Sequence, residues 1–149
     1  MNSISEKNIR SYQWNDSNYW KAIQIRRIVL RFPMGLNYSK SDFENEKNET
    51  FFGIFSANNQ CLGTISAKDL ENNTWKMRQF AIHPSYQNNG LGKKMVQHYE
   101  TVAITKGIRK IEFHARKTAV EFYRKLGYKV IGDAFLEVGI PHFKMEKIL

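Results

Sequence analysis

Two glycines, Gly90 and Gly92, stand at the start of the clearest helical pattern of the chain. Over residues 90–106, apolar side chains recur at the spacing of one helix face, and Gly107 follows where helices commonly end in glycine. Aromatic and apolar residues over 75–82 predict a strand ahead of them. A strand that leads through small residues into a long helix favours a mixed α/β fold.

The rest of the chain alternates between strand and helix periodicity. Further strands are predicted over 9–14, 50–57, 61–68, 109–114, 128–131 and 143–148, and further helices over 19–32 and 117–126. The first of these helices is expected to bury Ile25, Ile28, Val29 and Phe32 on one face. Residues 33–49 are predicted to be a loop. This order describes helices packed on one curved sheet.

Composition indicates one core and excludes several classes of protein. A chain of 149 residues with 42% hydrophobic residues predicts a single domain over residues 1–149. Its 23 Lys and Arg against 14 Asp and Glu give a net charge of +9, which attracts anions without selecting a partner. The single cysteine, Cys61, excludes an intramolecular disulfide and fits a cytoplasmic protein. No stretch approaches the roughly 20 apolar residues of a membrane span, so no membrane partner is expected.

Residues 87–94, Gln-Asn-Asn-Gly-Leu-Gly-Lys-Lys, suit a phosphate group. The first helical turn leaves N–H groups without intrahelical partners and carries the positive end of the helix dipole, and Lys93 adds charge. Two known phosphate loops do not fit. A P-loop requires glycine in place of Gln87 and a hydroxyl in place of Lys94, and a dinucleotide fingerprint requires glycine in place of Met95.

The pattern that fits is Gln/Arg-x-x-Gly-x-Gly/Ala, here residues 87–92, which resembles the acyl-CoA loop of the GNAT superfamily of N-acetyltransferases. Phe-Ala-Ile-His-Pro at 80–84 is similar to the end of that family's fourth strand, and 119–128 is similar to its late helix and next strand. The resemblance implies a mixed, mostly antiparallel curved sheet of about six to seven strands flanked by about four helices. The fourth and fifth strands of that sheet splay apart. It also implies an acetyl-CoA-dependent N-acetyltransferase.

By similarity, this chain holds acetyl-CoA at two places. The backbone of Phe80, Ala81 and Ile82 is expected to bind the pantetheine arm between the splayed strands. The pyrophosphate is expected on the glycine loop, at Gln87, Asn88, Asn89, Gly90, Leu91, Gly92 and Lys93. Arg116 stands where many members have an Asn that contacts the arm, and its long side chain is expected to meet a cofactor phosphate instead.

The resemblance also implies catalytic side chains. Tyr123 matches the tyrosine that protonates the departing thiolate, and a core aromatic residue is the alternative reading. The strand Glu that often serves as general base is missing, because residues 75–80 contain no acid. Glu137 and His142 are therefore the candidate bases, with His114 nearby. Solvated residues of a surface loop are the alternative for each.

Several alternatives stay open. The acceptor is expected to be an amine of a small molecule or a peptide, and the acidic residues Asp42, Glu44, Glu46 and Glu49 favour a cationic one unless they belong to a solvated loop. A non-catalytic acyl-CoA-binding sensor is an alternative to the enzyme. A basic nucleic-acid-binding module is a weaker one, because no nucleic-acid motif is found. No metal is expected, since the four histidines lack ligand spacing. Many family members form homodimers, so a homodimer is open.

Overall fold

The computed structural model describes residues 8–149, which form seven strands and four α-helices. The strands are β1 (Ile9–Tyr12), β2 (Thr50–Phe55), β3 (Cys61–Leu70), β4 (Thr74–Ile82), β5 (Lys110–Arg116), β6 (Lys129–Glu137) and β7 (Ile140–Ile148). The α-helices are α1 (Ser17–Arg26), α2 (Lys40–Glu44), α3 (Leu91–Thr105) and α4 (Val120–Lys125). A π-helical turn occupies Arg27–Arg31, and 3-10 turns occupy Phe32–Met34, Pro84–Tyr86 and Lys117–Ala119. Among the described helices, none has the length and apolar character that a membrane crossing requires.

All seven strands belong to one sheet, in the order β1-β2-β3-β4-β5-β7-β6. Neighbouring strands run antiparallel except β4 and β5, which run parallel. The mixed, mostly antiparallel pairing and the numbers of strands and helices confirm the predicted fold class.

Strands β4 and β5 pair only where they begin. The register runs from Thr74 opposite Lys110 to Lys76 opposite Glu112. In the described residues, β4 and β5 form no pairs beyond these three. Beyond this point, the edge of β4 that faces β5 has N–H and C=O groups that pair with no described strand. Such an edge can pair with another extended chain. The splayed strands implied by the family resemblance are therefore present.

A β-bulge interrupts β4 just before its end. The register between β3 and β4 shifts by one residue there, and Gln79 in the bulge has a φ of 53°. The hydroxyl of Tyr38 donates to Oε1 of Gln79 at 2.9 Å, which ties the bulge to the segment after α1. A bulge bends and twists its strand, so this one adds to the divergence of β4 from β5.

Helices pack on both faces of the sheet. Helices α3 and α4 cover one face, where Tyr99 is buried with Trp75. Helix α1 packs on the other face, where Ile23 belongs to a buried cluster with Phe51 and Ala81. That cluster draws on β1 to β4, and its member Ala81 also lines the cavity described below.

Helix α1 differs from the predicted helix over 19–32. It ends at Arg26, and the π-helical turn that follows has a wider repeat than 3.6 residues. The predicted apolar stripe is broken as a result, and Ile28 and Phe32 are 42% and 51% exposed. Arg26 is instead buried, because its guanidinium meets the carboxylate of Glu46 at 2.6 and 2.9 Å.

Two segments predicted as loops contain regular structure. Within 33–49, helix α2 begins at a capping box in which Ser39 and Asp42 each bond to the other's backbone N–H. Between 131 and 143, strands β6 and β7 continue to a two-residue turn, Val138 and Gly139. The strand pattern is hidden there because the register of β6 shifts after Ile131, next to a glycine.

Candidate active site

A cavity of about 890 Å³ lies where β4 and β5 diverge. Its walls are the second half of β4, the glycine loop before α3, the end of β5, the start of α4, the π-helical turn and the tip of the β6–β7 hairpin. The predicted site residues that line it are Phe80, Ala81, Ile82, Gln87, Asn88, Gly90, Gly92, Lys93, Arg116, Tyr123, Glu137 and His142. Asn89 and Leu91 do not line it, and Leu91 is buried in the core under α3.

The glycine loop is held in an open shape at the N-terminus of α3. Asn88 and Gly90 have φ values of 64° and 78°, which turn the chain sharply before the helix begins. The amide of Gln87 donates to the carbonyl oxygen of Ile82 at 3.0 Å and ties the loop to the end of β4. The helix N-terminus therefore faces the same cavity as the open edge of β4, and its dipole favours a phosphate there.

Gly92 keeps the first turn of α3 close to two aromatic rings. A Cβ at this position would lie 3.2 Å from Cζ of Phe122, which is tighter than ordinary contact, and 3.4 Å from Cζ of Phe80. Both rings line the cavity beside Tyr123. Gly92, the second glycine of the motif, thus allows close packing at the cavity wall, and Gly90 allows the positive φ of the turn.

Among the described residues, Tyr123 is the buried tyrosine for whose hydroxyl no partner is found. Its ring packs on Phe113 with centroids 4.4 Å apart, and the residue is 8% exposed. The hydroxyls of the other buried tyrosines have partners, at Tyr12, Tyr19, Tyr99 and Tyr128. No partner for the Tyr123 hydroxyl is found within residues 8–149, although it lines the cavity. Burial raises its pKa above the ordinary value, so the phenol keeps its proton at neutral pH.

Glu137 lies between two histidines at the other end of the cavity. Its Oε1 is 3.0 Å from Nδ1 of His114, and its Oε2 is 3.5 Å from Nε2 of His142. Nδ1 of His142 lies 2.8 Å from the carbonyl oxygen of Ile140, which can only accept a hydrogen bond. Nδ1 therefore carries the hydrogen, and Nε2 of the neutral ring is a proton acceptor. We name His114, Glu137 and His142 the base cluster.

Arg116 lies on the sheet face opposite α3. Phe113 and Ala115 of β5 are buried under α3 and α4, so the alternation of a strand directs Arg116 to the other side. Its Nη2 donates to the carbonyl oxygen of Leu30 and to Sδ of Met34, each at 3.2 Å. A contact between Arg116 and a cofactor phosphate stays a prediction.

Sequence reasoning missed three cations of the cavity wall, Arg31, Lys76 and Arg78. Nothing in their local pattern separates them from the other basic residues of a chain with 23 Lys and Arg. Arg31 lines the cavity because of the π-helical turn, and Lys76 and Arg78 line it because they lie on the face of β4 opposite α3. In residues 8–149 no group of three His, Cys, Asp or Glu side chains is arranged to hold a metal ion.

The chain matches the family model of the acetyltransferase (GNAT) domain over residues 36–149. The chain belongs to the GNAT family. It is similar to uncharacterized protein YyaT of Bacillus subtilis (strain 168), with 37% identity over 136 residues that cover 89% of this chain and 90% of that protein.

Solved structures share the fold of this GNAT chain at low sequence identity. An aminoglycoside 6'-N-acetyltransferase complexed with coenzyme A has a TM-score of 0.77 at 17% identity, covering 94% of this chain and 96% of that one. The PaiA N-acetyltransferase of Thermoplasma acidophilum in complex with coenzyme A has a TM-score of 0.73 at 21% identity, covering 99% and 100%. The predictions of the family, of an acyltransferase and of acetyl-CoA as its donor are confirmed.

Proposed function

We propose that this GNAT enzyme transfers the acetyl group of acetyl-CoA directly to the amine of a small molecule or a peptide. The observation that carries the proposal is one cavity that joins the glycine loop, the open edge of β4, Tyr123 and the base cluster. Donor and acceptor can occupy it together. Direct transfer also agrees with Cys61, which is buried in β3 and is absent from the described cavity wall.

In the proposed complex, acetyl-CoA lies along β4. The pantetheine arm pairs with the backbone of Phe80, Ala81 and Ile82, whose neighbour on that side is missing from the described sheet. The pyrophosphate accepts hydrogen bonds from the loop over 87–92 at the helix N-terminus, and Lys93 balances its charge. The thioester then lies beside Tyr123.

The acceptor nitrogen must be neutral before it can attack. Glu137 and His142 take a proton from the acceptor ammonium, and its nitrogen attacks the thioester carbonyl carbon to give a tetrahedral intermediate. The C–S bond then breaks, and the hydroxyl of Tyr123 gives its proton to the thiolate. The phenolate regains a proton from the new amide nitrogen, and the base cluster releases its proton to solvent. The products are an N-acetylated amine and free CoA.

Replacing Tyr123 by Phe tests the proposal. We expect Tyr123→Phe to lower kcat by roughly 100-fold or more, the usual contribution of a positioned general acid, and to leave the Kd for acetyl-CoA unchanged. Stability is expected to stay near wild type, because the lost hydroxyl has no partner among the described residues. Thiol release with an amine panel, acetyl-CoA titration and chemical denaturation measure the three quantities.

Tyr128→Phe is the matched control. Its hydroxyl donates to Oε2 of Glu100 at 2.8 Å, and its ring lies 6.0 Å from that of Tyr123. This variant is expected to lose about 1 kcal/mol of stability and to keep kcat. Acetyl-CoA binding without thiol release from any amine would contradict the enzyme and favour the acyl-CoA sensor.

Three further predictions stay predictions. They are a single domain over residues 1–149, a homodimer and a cytoplasmic location. Sedimentation of the purified protein measures the second directly.

A further inference from the structure

The part of the cavity wall on the sheet face opposite α3, here called the acceptor side, has more cationic than acidic side chains. Four cations line the sheet face opposite α3 and the turn above it, namely Arg31, Lys76, Arg78 and Arg116. Among the described residues, Glu137 is the carboxylate of the cavity wall. Lys93 also lines the cavity, but it belongs to the glycine loop, where the phosphates of the donor supply the opposite charge.

Arg31 is the first of these cations whose surroundings favour a bound ligand. It lies in the π-helical turn, with its guanidinium 4.6 Å from the ring centre of Tyr38. Its Nε is buried and has no hydrogen-bond partner within residues 8–149. A buried guanidinium N–H without an acceptor costs free energy, so the site favours a ligand that brings an acceptor oxygen.

On this face of the cavity, Arg116 and Lys76 also lack an ion-pair partner among the described residues. The two hydrogen bonds of Arg116 go to the neutral atoms Leu30 O and Met34 Sδ. In the part of the chain that the structure describes, neither Arg116 nor Lys76 lies within 4.0 Å of a carboxylate oxygen. Arg78 differs, since it is paired with Glu49.

The acidic segment 42–49 does not supply a site for a cationic acceptor. Asp42 caps α2, Glu46 is paired with Arg26, and Glu49 bonds to Arg78 and Ser66. None of the acidic residues in this segment lines the cavity. A polycationic acceptor would therefore meet like charge here, and like charges at close range in a partly buried site repel strongly.

We propose that the acceptor is a small amino acid, whose carboxylate is held by Arg31 and Arg116 while its amine faces the base cluster. Guanidinium groups bind carboxylates in a planar, two-pronged geometry, which supports the choice of a carboxylate. Arg116 stands directly opposite His142 in the register of β5 and β7. Residues paired in this way have Cβ atoms about 5 Å apart, so the carboxylate and amine subsites are adjacent. This inference rests on the proposed function, and it assigns Arg116 to the acceptor carboxylate in place of the predicted cofactor phosphate.

Matched acceptors test the charge requirement. Each amino acid of a panel is compared with its amide and with the amine that lacks the carboxyl group, and thiol release from acetyl-CoA is followed. We expect at least a tenfold higher kcat/KM for one or more free amino acids than for their neutral counterparts. Equal or faster turnover of the amides, or of polyamines, would overturn the inference and leave the acetyltransferase intact.

Two arginine variants locate the carboxylate. Arg31→Gln is expected to raise KM for the amino acid at least tenfold and to leave KM for its amide unchanged, because the amide makes no ion pair. Arg27→Gln is the matched control: Arg27 lies in the same turn and bonds to Asn37. It is absent from the cavity wall as described, so its variant keeps wild-type kinetics.

The remaining outcomes separate the two proposals. A loss of discrimination in both arginine variants, or in neither, would contradict the assignment of Arg31. A protein whose Tm rises with acetyl-CoA but that releases no thiol with any acceptor would overturn the proposed function, and this inference with it.

Discussion

Val138 has a positive φ, a backbone conformation that β-branched residues rarely adopt. It forms the two-residue turn between β6 and β7 with Gly139, and their φ values are 46° and 74°. Positive φ at both positions is the requirement of a type I′ turn, for which Asn-Gly is preferred. A β-branched residue in this region is strained, by about 1 to 2 kcal/mol.

Val138→Asn is therefore expected to stabilise the protein by about 1 kcal/mol, because Asn tolerates positive φ. Thermal unfolding measures the gain as a rise in Tm of roughly 2 to 4 °C. Val138→Thr keeps the β-branch and is the control without gain. An unchanged Tm for the Asn variant would show that the turn is not strained.

Glu112 and Glu49 are expected to respond to pH in opposite directions. The Lys144 ammonium, 2.8 Å away, lowers the pKa of Glu112 below 4.5, so its contribution to stability is present above the unfolded pKa and is lost on acidification. Burial raises the pKa of Glu49 above 4.5, and the nearby Arg78 offsets this only in part. Compared with the unfolded chain, the fold therefore favours protonation of Glu49, and stability is lost as pH rises through the folded pKa.

Urea unfolding of Glu112→Gln and Glu49→Gln between pH 3 and pH 7 tests this difference. Relative to wild type, Glu112→Gln should be less stable at pH 7 and equal near pH 3. Glu49→Gln should gain stability relative to wild type over the same rise in pH. Parallel profiles for the two variants would contradict the assigned directions.

At the scale of elements, the buried pair of Arg26 and Glu46 joins α1 to the segment before β2. Their side chains are 1% and 2% exposed, and Tyr19 also donates to Glu46. Removing one partner of such a pair leaves an uncompensated buried charge, which costs about 3 to 5 kcal/mol. Glu46→Gln is expected to lose this much stability, and Tm should fall by roughly 10 °C or more.

The control is Glu121→Gln on α4. Glu121 pairs with Arg124, but its side chain is 74% exposed, so solvent screens the interaction. Its loss is expected to stay below about 1 kcal/mol in the same unfolding experiment. Similar losses for Glu46→Gln and Glu121→Gln would show that the pair on α1 is not a support of the fold.

At the scale of the whole molecule, the net charge of +9 attracts any polyanion. The cavity, in contrast, is expected to select acetyl-CoA. Acetyl-CoA at a hundred times its Kd is expected to stabilise the protein by about 2.7 kcal/mol, a rise in Tm of roughly 5 to 10 °C. ATP and a short DNA duplex at equal concentration are the comparisons, each at two salt concentrations. A salt-sensitive shift with DNA and none with acetyl-CoA would favour the nucleic-acid-binding module.

The parts of the fold and the site that could be predicted from the sequence are those that depend on neighbours along the chain. The glycine loop before α3, the strand that ends at Ile82 and the helix that carries Tyr123 are local patterns of turn, alternation and helix spacing. Prediction from the sequence failed at α1, because a π-helical turn and a buried ion pair reversed which face is covered. It also missed the hairpin tip, where the strand pattern is interrupted.

The sequence by itself determined the class of fold and a loop suited to phosphates, because backbone periodicity and glycine placement act over a few residues. The family came from the resemblance of residues 80–92 and 119–128 to GNAT motifs. Tertiary structure decided the rest. The divergence of β4 from β5 opens the cavity, the β6–β7 hairpin brings Glu137 between His114 and His142, and the turn after α1 lays Arg31 over the acceptor side. These contacts join residues far apart in the chain, and their energies depend on burial and charge pairing that exist only once the sheet has formed.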